Sequence, residues 1–418
     1  MLAKPFAALR PSADTASAVI APPYDVVDTD EARSLAAARS ESFLHISRPE
    51  IDLPPGTDPY DDAVYAQGAE NLSRLVETGV LERERTPCYY IYRLTTSEHM
   101  QTGIAFGGSV TAYESGRIHP HELTRPDKET DRVRNIESLN AQTGPVLLAY
   151  KANAELDARI ARLARGVPLF AARGQHDVLH TIWRVDDAAE IDVLSVALDA
   201  LGELYIADGH HRSAAAARVA AARRGETAQT GSKRSGSAPD ASHESFLSVA
   251  FADDQMLVFD YNRVVRDLNG LGEQAFLAAV ADQFQVELAD APAKPEAPKT
   301  FGMYFGGRWY RLQTAAPGPA NDPVGDLDVS LLQDRLIAPI LGVGDPRTDP
   351  RIGFVGGVRG LGELERRVDS GAAAVAFALY PTSMRQLMAV ADAGLLMPPK
   401  STWFEPKLAD GLLSHVLD

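Results

Sequence analysis

The chain has 418 residues and a formal net charge of −16. That length exceeds one ordinary hydrophobic core and calls for two or three packed units, while the acidic balance disfavours the broad Lys/Arg surface that DNA or RNA binding requires and leaves room for a local anion site. The single cysteine, Cys88, excludes a disulfide framework, a cysteine-rich zinc site and a CxxC redox pair, and fits a reducing cytoplasm.

No apolar run is long enough to span a membrane. The apolar N-terminal stretch is cut by Pro5, Arg10 and Pro11, which makes it a poor signal peptide. The first element, "AVIAPPYDVV" at 18–27, is a strand-like run broken by two prolines, and Asp28 with Glu31 has the spacing of a capping box, which predicts a helix behind it. Val64, Leu72, Leu75 and Val76 recur at helical spacing and predict a second helix that stops near Gly79. "CYYIYRL" at 88–94 and "FGGSVTAY" at 106–113 predict strands. Thr124, Pro126 and Asp127 then supply a hydroxyl cap, an early proline and a first-turn acid for a helix whose buried edge is Val133, Ile136 and Leu139. "PVLLAY" at 145–150 reads as a buried strand, and 204–207 as a strand leading through a turn at Asp208-Gly209 to a helix beginning near Arg212 or Ser213.

Residues 225–244, rich in Ser, Gly and Ala, predict a surface loop, and 289–300 and 316–323 predict soft, proline-bearing connections. Between and after them "SFLSVAFA", "MYFGGRWYRL", "IGFVGGV" and "AAAVAFALY" predict strands alternating with helices such as "LGELERRVDS" and "SMRQLMAVADAG". The expected class is mixed α/β (α+β), with no internal repeat.

Three stretches carry chemistry. In "IADGHHR" the helix start after Gly209 offers backbone N–H groups to an anion. Arg212 adds a permanently charged fork, and His210 and His211 can donate to phosphate or move a proton. Asp208 can hold a magnesium ion or orient a hydroxyl, or it can simply cap the helix. In "HPHE", His119, His121 and Glu122 make a possible zinc ligand set, although the HExxH pattern is absent; the other reading is a loop whose Glu122 favours the dipole of the next helix. In "MPPKSTWFEPKL", Lys400, Ser401 and Thr402 can bind a carboxylate or phosphate, while Trp403 and Phe404 read as packing residues. There is no GxxxxGK[ST] loop, no GxSxG elbow and no kinase HRD or DFG set.

In that order, "HPHE", "IADGHHRSAAA" and "MPPKST" resemble the free L-serine kinases of the ParB/sulfiredoxin-like superfamily, which carry a similar "PHE", a "DGHHR" entering a helix and a C-terminal "PKTT". Over nearly the whole chain, "APPYDVV", "SFLHISRPEID", "YYIYRL" and "PKSTWFEPKL" also resemble a bacterial family of uncharacterised proteins. The kinase resemblance implies a ParB/sulfiredoxin-like core with an N-terminal extension and an additional C-terminal α/β unit, divided as 1–115, 116–288 and 301–418, the last holding substrate. It implies phosphoryl transfer from ATP or ADP, or from pyrophosphate, to the hydroxyl of a free amino acid, with serine first, and Mg²⁺ shielding the phosphates. Glu122 would be the base, and Asp208 would stand by the reacting hydroxyl or the metal. Gly209, His210, His211 and Arg212 would bind the donor phosphates, and Lys400, Ser401 and Thr402 the amino acid. Trp403 stands where those kinases have an arginine after their paired threonines. A ParB-like nucleotide switch and a metal-dependent hydrolase using His119, His121 and Glu122 are the competing readings.

Overall fold

The computed structural model describes residues 1–225, 241–314 and 322–418. Most of the expected loop at 225–244, and 316–321 of the third soft stretch, lie outside the described residues. The described part is mixed α/β and divides into two compact units. Met1–Pro120, Thr124–Met256 and Pro406–Asp418 form the first, and His121–Leu123 with Leu257–Glu405 form the second.

The first unit is built on a nine-stranded mixed sheet. Its strands are β1 (Ala3–Lys4), β2 (Tyr89–Thr95), β3 (Met100–Ser109), β4 (Ile118–His119), β5 (Val146–Tyr150), β6 (Phe170–Arg173), β7 (Leu179–Val185), β8 (Leu204–Asp208) and β9 (Ser245–Ala252). They run in the order β4-β8-β5-β9-β3-β2-β7-β6, with β1 on β3. The pairs β8–β4 and β9–β5 are parallel, and β8–β5 is antiparallel with a register shift between Ile206 and Asp208. Strand β5 reads as one apolar run because it is buried along its whole length. Ile91, Ile104, Phe106, Leu148, Ile206 and Phe246 are fully or almost fully buried in the core on this sheet, each such side chain contributing about 1.5–3 kcal/mol over its exposed state.

Three helices of this unit matter for the site: α1 (Asp62–Glu77), α2 (Pro126–Leu139) and α3 (His210–Arg223). The alanines of α3 keep its surface small, and Ala215 and Val219 pack with Ile136 of α2 and Leu417. A four-stranded sheet pairs Ala8–Pro11 with Leu81–Arg83 and with Ser414–Val416, which in turn pairs Ala141–Gln142. This sheet fixes the last residues of the chain in the first unit. A reciprocal main-chain pair, Ala21 with Asp410, does the same one turn earlier.

The second unit holds a six-stranded antiparallel sheet made of β10 (Tyr261–Val265), β11 (Phe284–Ala289), β12 (Thr300–Phe305), β13 (Arg308–Thr314), β14 (Ile352–Gly356) and β15 (Val375–Leu379), in the order β11-β13-β12-β15-β10-β14. Gly306 and Gly307, both at positive φ, make the tight turn of the β12–β13 hairpin.

Several boundaries differ from the sequence expectations. The strand expected at 18–27 is absent: Ala18 and Val19 end a short helix (Ala16–Val19), Ala21 makes a single bridge, and residues 24–27 turn, since Pro22 and Pro23 remove the ladder donors. The strand expected at 106–113 ends at Ser109, whose hydroxyl accepts from Ala112 N and starts a short helix, Val110–Glu114. The cap of α2 is Arg125, one residue past Thr124, and α3 begins at His210, earlier than expected. The boundary drawn at 115 falls between β3 and β4 of one sheet, and that at 288 falls inside β11. The C-terminal stretch from Pro406 belongs to the first unit. The capping box of Asp28 and Glu31 is present, and its helix runs Thr29–Ala36.

Candidate active site

The seam between β8 and α3 is made by Gly209. Its φ of +101° lies where only glycine is comfortable, and a Cβ there would stand 3.2 Å from the Arg212 guanidinium and from Val146 Cα. No side chain caps α3, and its first intrahelical bond runs from Ser213 N to Gly209 O. The positive end of a fourteen-residue helix therefore meets Asp208 directly.

Asp208 is 31% exposed at its side chain and faces two cations. Lys407 Nζ is 3.2 Å from its Oδ2, and Arg212 Nη2 is 3.7 Å from the same oxygen. Burial pushes the Asp208 carboxyl up, but Lys407 and Arg212 outweigh it and hold the group well below the usual carboxylate range. Arg212 also donates from Nη1 to the Pro145 carbonyl at the start of β5. Burial works against the Arg212 charge, and Asp208 and Asp25 more than restore it.

His210 is buried, while His211 is half-buried. His211 Nε2 accepts from Arg125 N at 3.1 Å and so serves the open N-terminus of α2. His119, on β4, stacks on Tyr205 with ring centroids 5.3 Å apart and lies 3.6 Å from Glu203.

Glu122 lies in the short His121–Leu123 segment of the second unit. There the His121 carbonyl accepts from Met397 N at 2.8 Å, which brings the "PHE" stretch to the start of "MPPKST". Lys400 sits at φ +57° with its ammonium 5.7 Å from the Tyr261 ring centroid. Ser401 is buried, and its hydroxyl donates to Pro398 O at 2.6 Å while Thr382 donates to the Ser401 carbonyl. The Ser401 hydroxyl proton is thus spent on the shape of its own loop. Thr402 follows half-buried. Trp403 packs edge-on against Tyr261 at 5.2 Å and over Gly356, where a Cβ would come within 2.8 Å of the indole.

Asp208, Gly209, His210, His211 and Arg212 are therefore one cluster of the first unit, and Glu122, Lys400, Ser401 and Thr402 belong to the second. Sequence reasoning missed Lys407. The signal was present in "FEPKLADG", a second lysine behind a proline, but its pairing with Asp208 arises from the return of the chain end to the first unit. Magnesium asks for one or two carboxylates, phosphate oxygens and retained waters. Asp208 fits that limited role as a single carboxylate held ionised, with its Oδ2 on Lys407.

Among the described residues no helix is long and apolar enough to cross a membrane. A family model described as "Protein of unknown function (DUF1015)" matches residues 3–330. No curated protein matches the chain. Among solved structures, a mutant of a free serine kinase in complex with AMP is similar at 12% identity, covering 74% of this chain and 92% of its own, with a TM-score of 0.36. C-terminally truncated SbnI from Staphylococcus aureus matches at 13% identity over 73% and 85%, with a TM-score of 0.37. A conserved hypothetical protein from Pyrococcus furiosus matches at 14% identity over 74% and 94%, with a TM-score of 0.35.

Proposed function

The chain belongs to the family described as "Protein of unknown function (DUF1015)", and we propose that it is a small-molecule kinase that transfers a phosphoryl group to the hydroxyl of a free amino acid, serine being the first to test. The observation that carries this reading is the junction at Gly209: an uncapped helix start, a carboxylate held ionised and two cations within 4 Å of it. Phosphoryl transfer asks a protein for positioning, charge neutralisation and a base. The junction supplies the first two, and the "PHE" and "PKST" motifs supply candidates for the rest.

In this reading the N-terminal N–H groups of α3, with Gly209, His210, His211 Nδ1 and Arg212, bind the phosphates of ATP, ADP or pyrophosphate. Mg²⁺, when bound, would neutralise phosphate charge, with Asp208 as its protein ligand. Glu122 accepts the proton of the attacking hydroxyl. Lys400 and Thr402 hold the amino acid by charge and hydrogen bond, and Ser401 shapes their loop. Lys407 fixes the direction of the Asp208 carboxylate.

The test is a mixture of protein, serine, Mg²⁺ and each donor in turn, followed by phosphorus NMR. Phosphoserine with one donor supports the reading. No product with any donor, at near-stoichiometric protein, rules out serine as the acceptor.

A further inference from the structure

Within the second unit, β10 carries Arg263 into the sheet opposite Phe354 of β14 and Phe377 of β15. Its guanidinium lies 5.0 Å from the Phe354 ring centroid and donates only to main-chain carbonyls, from Nη1 to Tyr261 and from Nη2 to Pro399 at 3.2 Å. The residue is 4% exposed, and among the described residues no carboxylate pairs with it. Burial therefore lowers its pKa to about 10, with Tyr261 opposing the shift. Arg10, Arg132 and Arg212, which are comparably buried in the first unit, each face a carboxylate within 4 Å. A guanidinium tolerates an aromatic face and two carbonyls, yet a buried charge without a counter-charge is costly, and a neutral amide would serve the same carbonyls without that cost.

A second cation stands beside it. Pro399, which accepts from Arg263, is followed by the exposed Lys400, whose ammonium lies 5.7 Å from the ring of Tyr261, the other acceptor of Arg263. Lys400 likewise enters no ion pair among the described residues. Two positive charges thus share one loop and one tyrosine, with no negative charge paired to either, in a chain whose net charge is −16. Tyr261, Phe354 and Trp403 pack together around them, with ring centroids 6.1 and 5.2 Å apart. Such aromatic surroundings keep water away and lengthen the reach of a buried charge. The missing member of this arrangement is an anion at the exposed ammonium.

We propose that Lys400 and Arg263 together read the carboxylate of a small hydroxylated acid, Lys400 touching it and Arg263 acting from beneath, through its charge and through the Pro399 carbonyl. The inference deepens the kinase reading and rests on it only in taking the phosphoryl acceptor as the owner of that carboxylate. Arg263 is thus a positioning residue, and its unpaired charge is held for the ligand at the expense of the free protein. Removing the charge while keeping a donor for the carbonyls separates the two roles: binding suffers and stability does not.

The experiment is calorimetric titration of the full chain, without nucleotide, by serine, glycerate and ethanolamine, with inorganic phosphate as the control for a donor site. Serine or glycerate binds, whereas ethanolamine and phosphate do not. Lys400→Gln and Arg263→Gln each weaken binding by about 10- to 100-fold, and Arg263→Lys, which keeps the charge, retains most of it. Thermal unfolding of the same samples finds the Arg263→Gln midpoint within about 2 °C of wild type or above it. A merely structural guanidinium gives the reverse, a lowered midpoint with unchanged affinity, and that result overturns the proposal. If Arg263→Gln fails to fold, Lys400→Gln, at an exposed position, and Arg263→Lys decide by the same criteria. No heat with serine or glycerate up to about 10 mM, ethanolamine or phosphate binding as tightly as the acids, or affinities unmoved by Lys400→Gln also overturn it. Because no donor is present, a failure of turnover leaves these titrations untouched, while turnover with a KM for serine that ignores both glutamine variants sinks this inference alone.

Discussion

Replacing Lys407 by methionine keeps the length of the side chain and removes the ammonium that lies 3.2 Å from Asp208. At that separation two unit charges attract by about 5 kcal/mol in an effective dielectric of ~20, and the desolvation of both groups cancels most of it. The side chains are 20% and 31% exposed, between a surface pair worth ~0–1 kcal/mol and a buried pair whose breaking costs ~3–5 kcal/mol. The expected loss is therefore about 1–2 kcal/mol, limited by Arg212, which still faces the same oxygen. Thermal unfolding at neutral pH reads it as a fall of about 2–4 °C, and Lys407→Arg restores most of it. The pH dependence carries a second signature. The folded Asp208 carboxyl is held low, so its stabilisation is full above the ordinary carboxylate pKa near ~4 and is lost as the pH falls through the folded value. The gap between wild type and Lys407→Met closes over that acidic range. A variant as stable as wild type at pH ~7, with the same acid limb, would refute the role given to this pair.

Gly209→Ala introduces both a strained φ and a contact with Arg212 and Val146; a loss of at least ~1–2 kcal/mol in denaturant unfolding is expected, with loss of nucleotide binding. Gly103→Ala places a Cβ 2.1 Å from the Ala250 carbonyl inside the main sheet, and it lowers the unfolding midpoint without any ligand dependence, by ~1–3 kcal/mol in equilibrium denaturation. Burial drives the His180 ring down to about 3, and Tyr92 bonds its Nδ1 at 2.8 Å. Because this folded value lies below the unfolded one, stability is intact above pH ~6.5 and falls by up to ~1.4 kcal/mol per pH unit below it. His180→Gln flattens that slope, and an unchanged slope contradicts the assignment.

The local signals were legible where a short stretch decides its own conformation. Asp28 and Glu31 cap a helix whatever surrounds them, and Gly209 permits one conformation that its neighbours do not. The apolar run of β5 announced its burial. What could not be read was non-local: Ser414–Val416 pairs with Ala8–Pro11 from the far end of the chain, and that pairing, with the Ala21–Asp410 bridge, brings Lys407 to Asp208. The strand expected through 113 failed for a related reason, since Ser109 competes with the ladder by capping a helix. Ser401 looked like a ligand group in sequence, whereas its hydroxyl proton goes to Pro398.

The proposed function assigns the base to Glu122 and the donor phosphates to the Gly209 junction. It is tested most directly by measuring phosphoserine formation in parallel for wild type and Glu122→Gln, with nucleotide binding followed in the same samples. The account predicts turnover in the wild type, a loss of about 10²- to 10⁴-fold in the variant, and unchanged nucleotide affinity. Equal rates in the two proteins would contradict it.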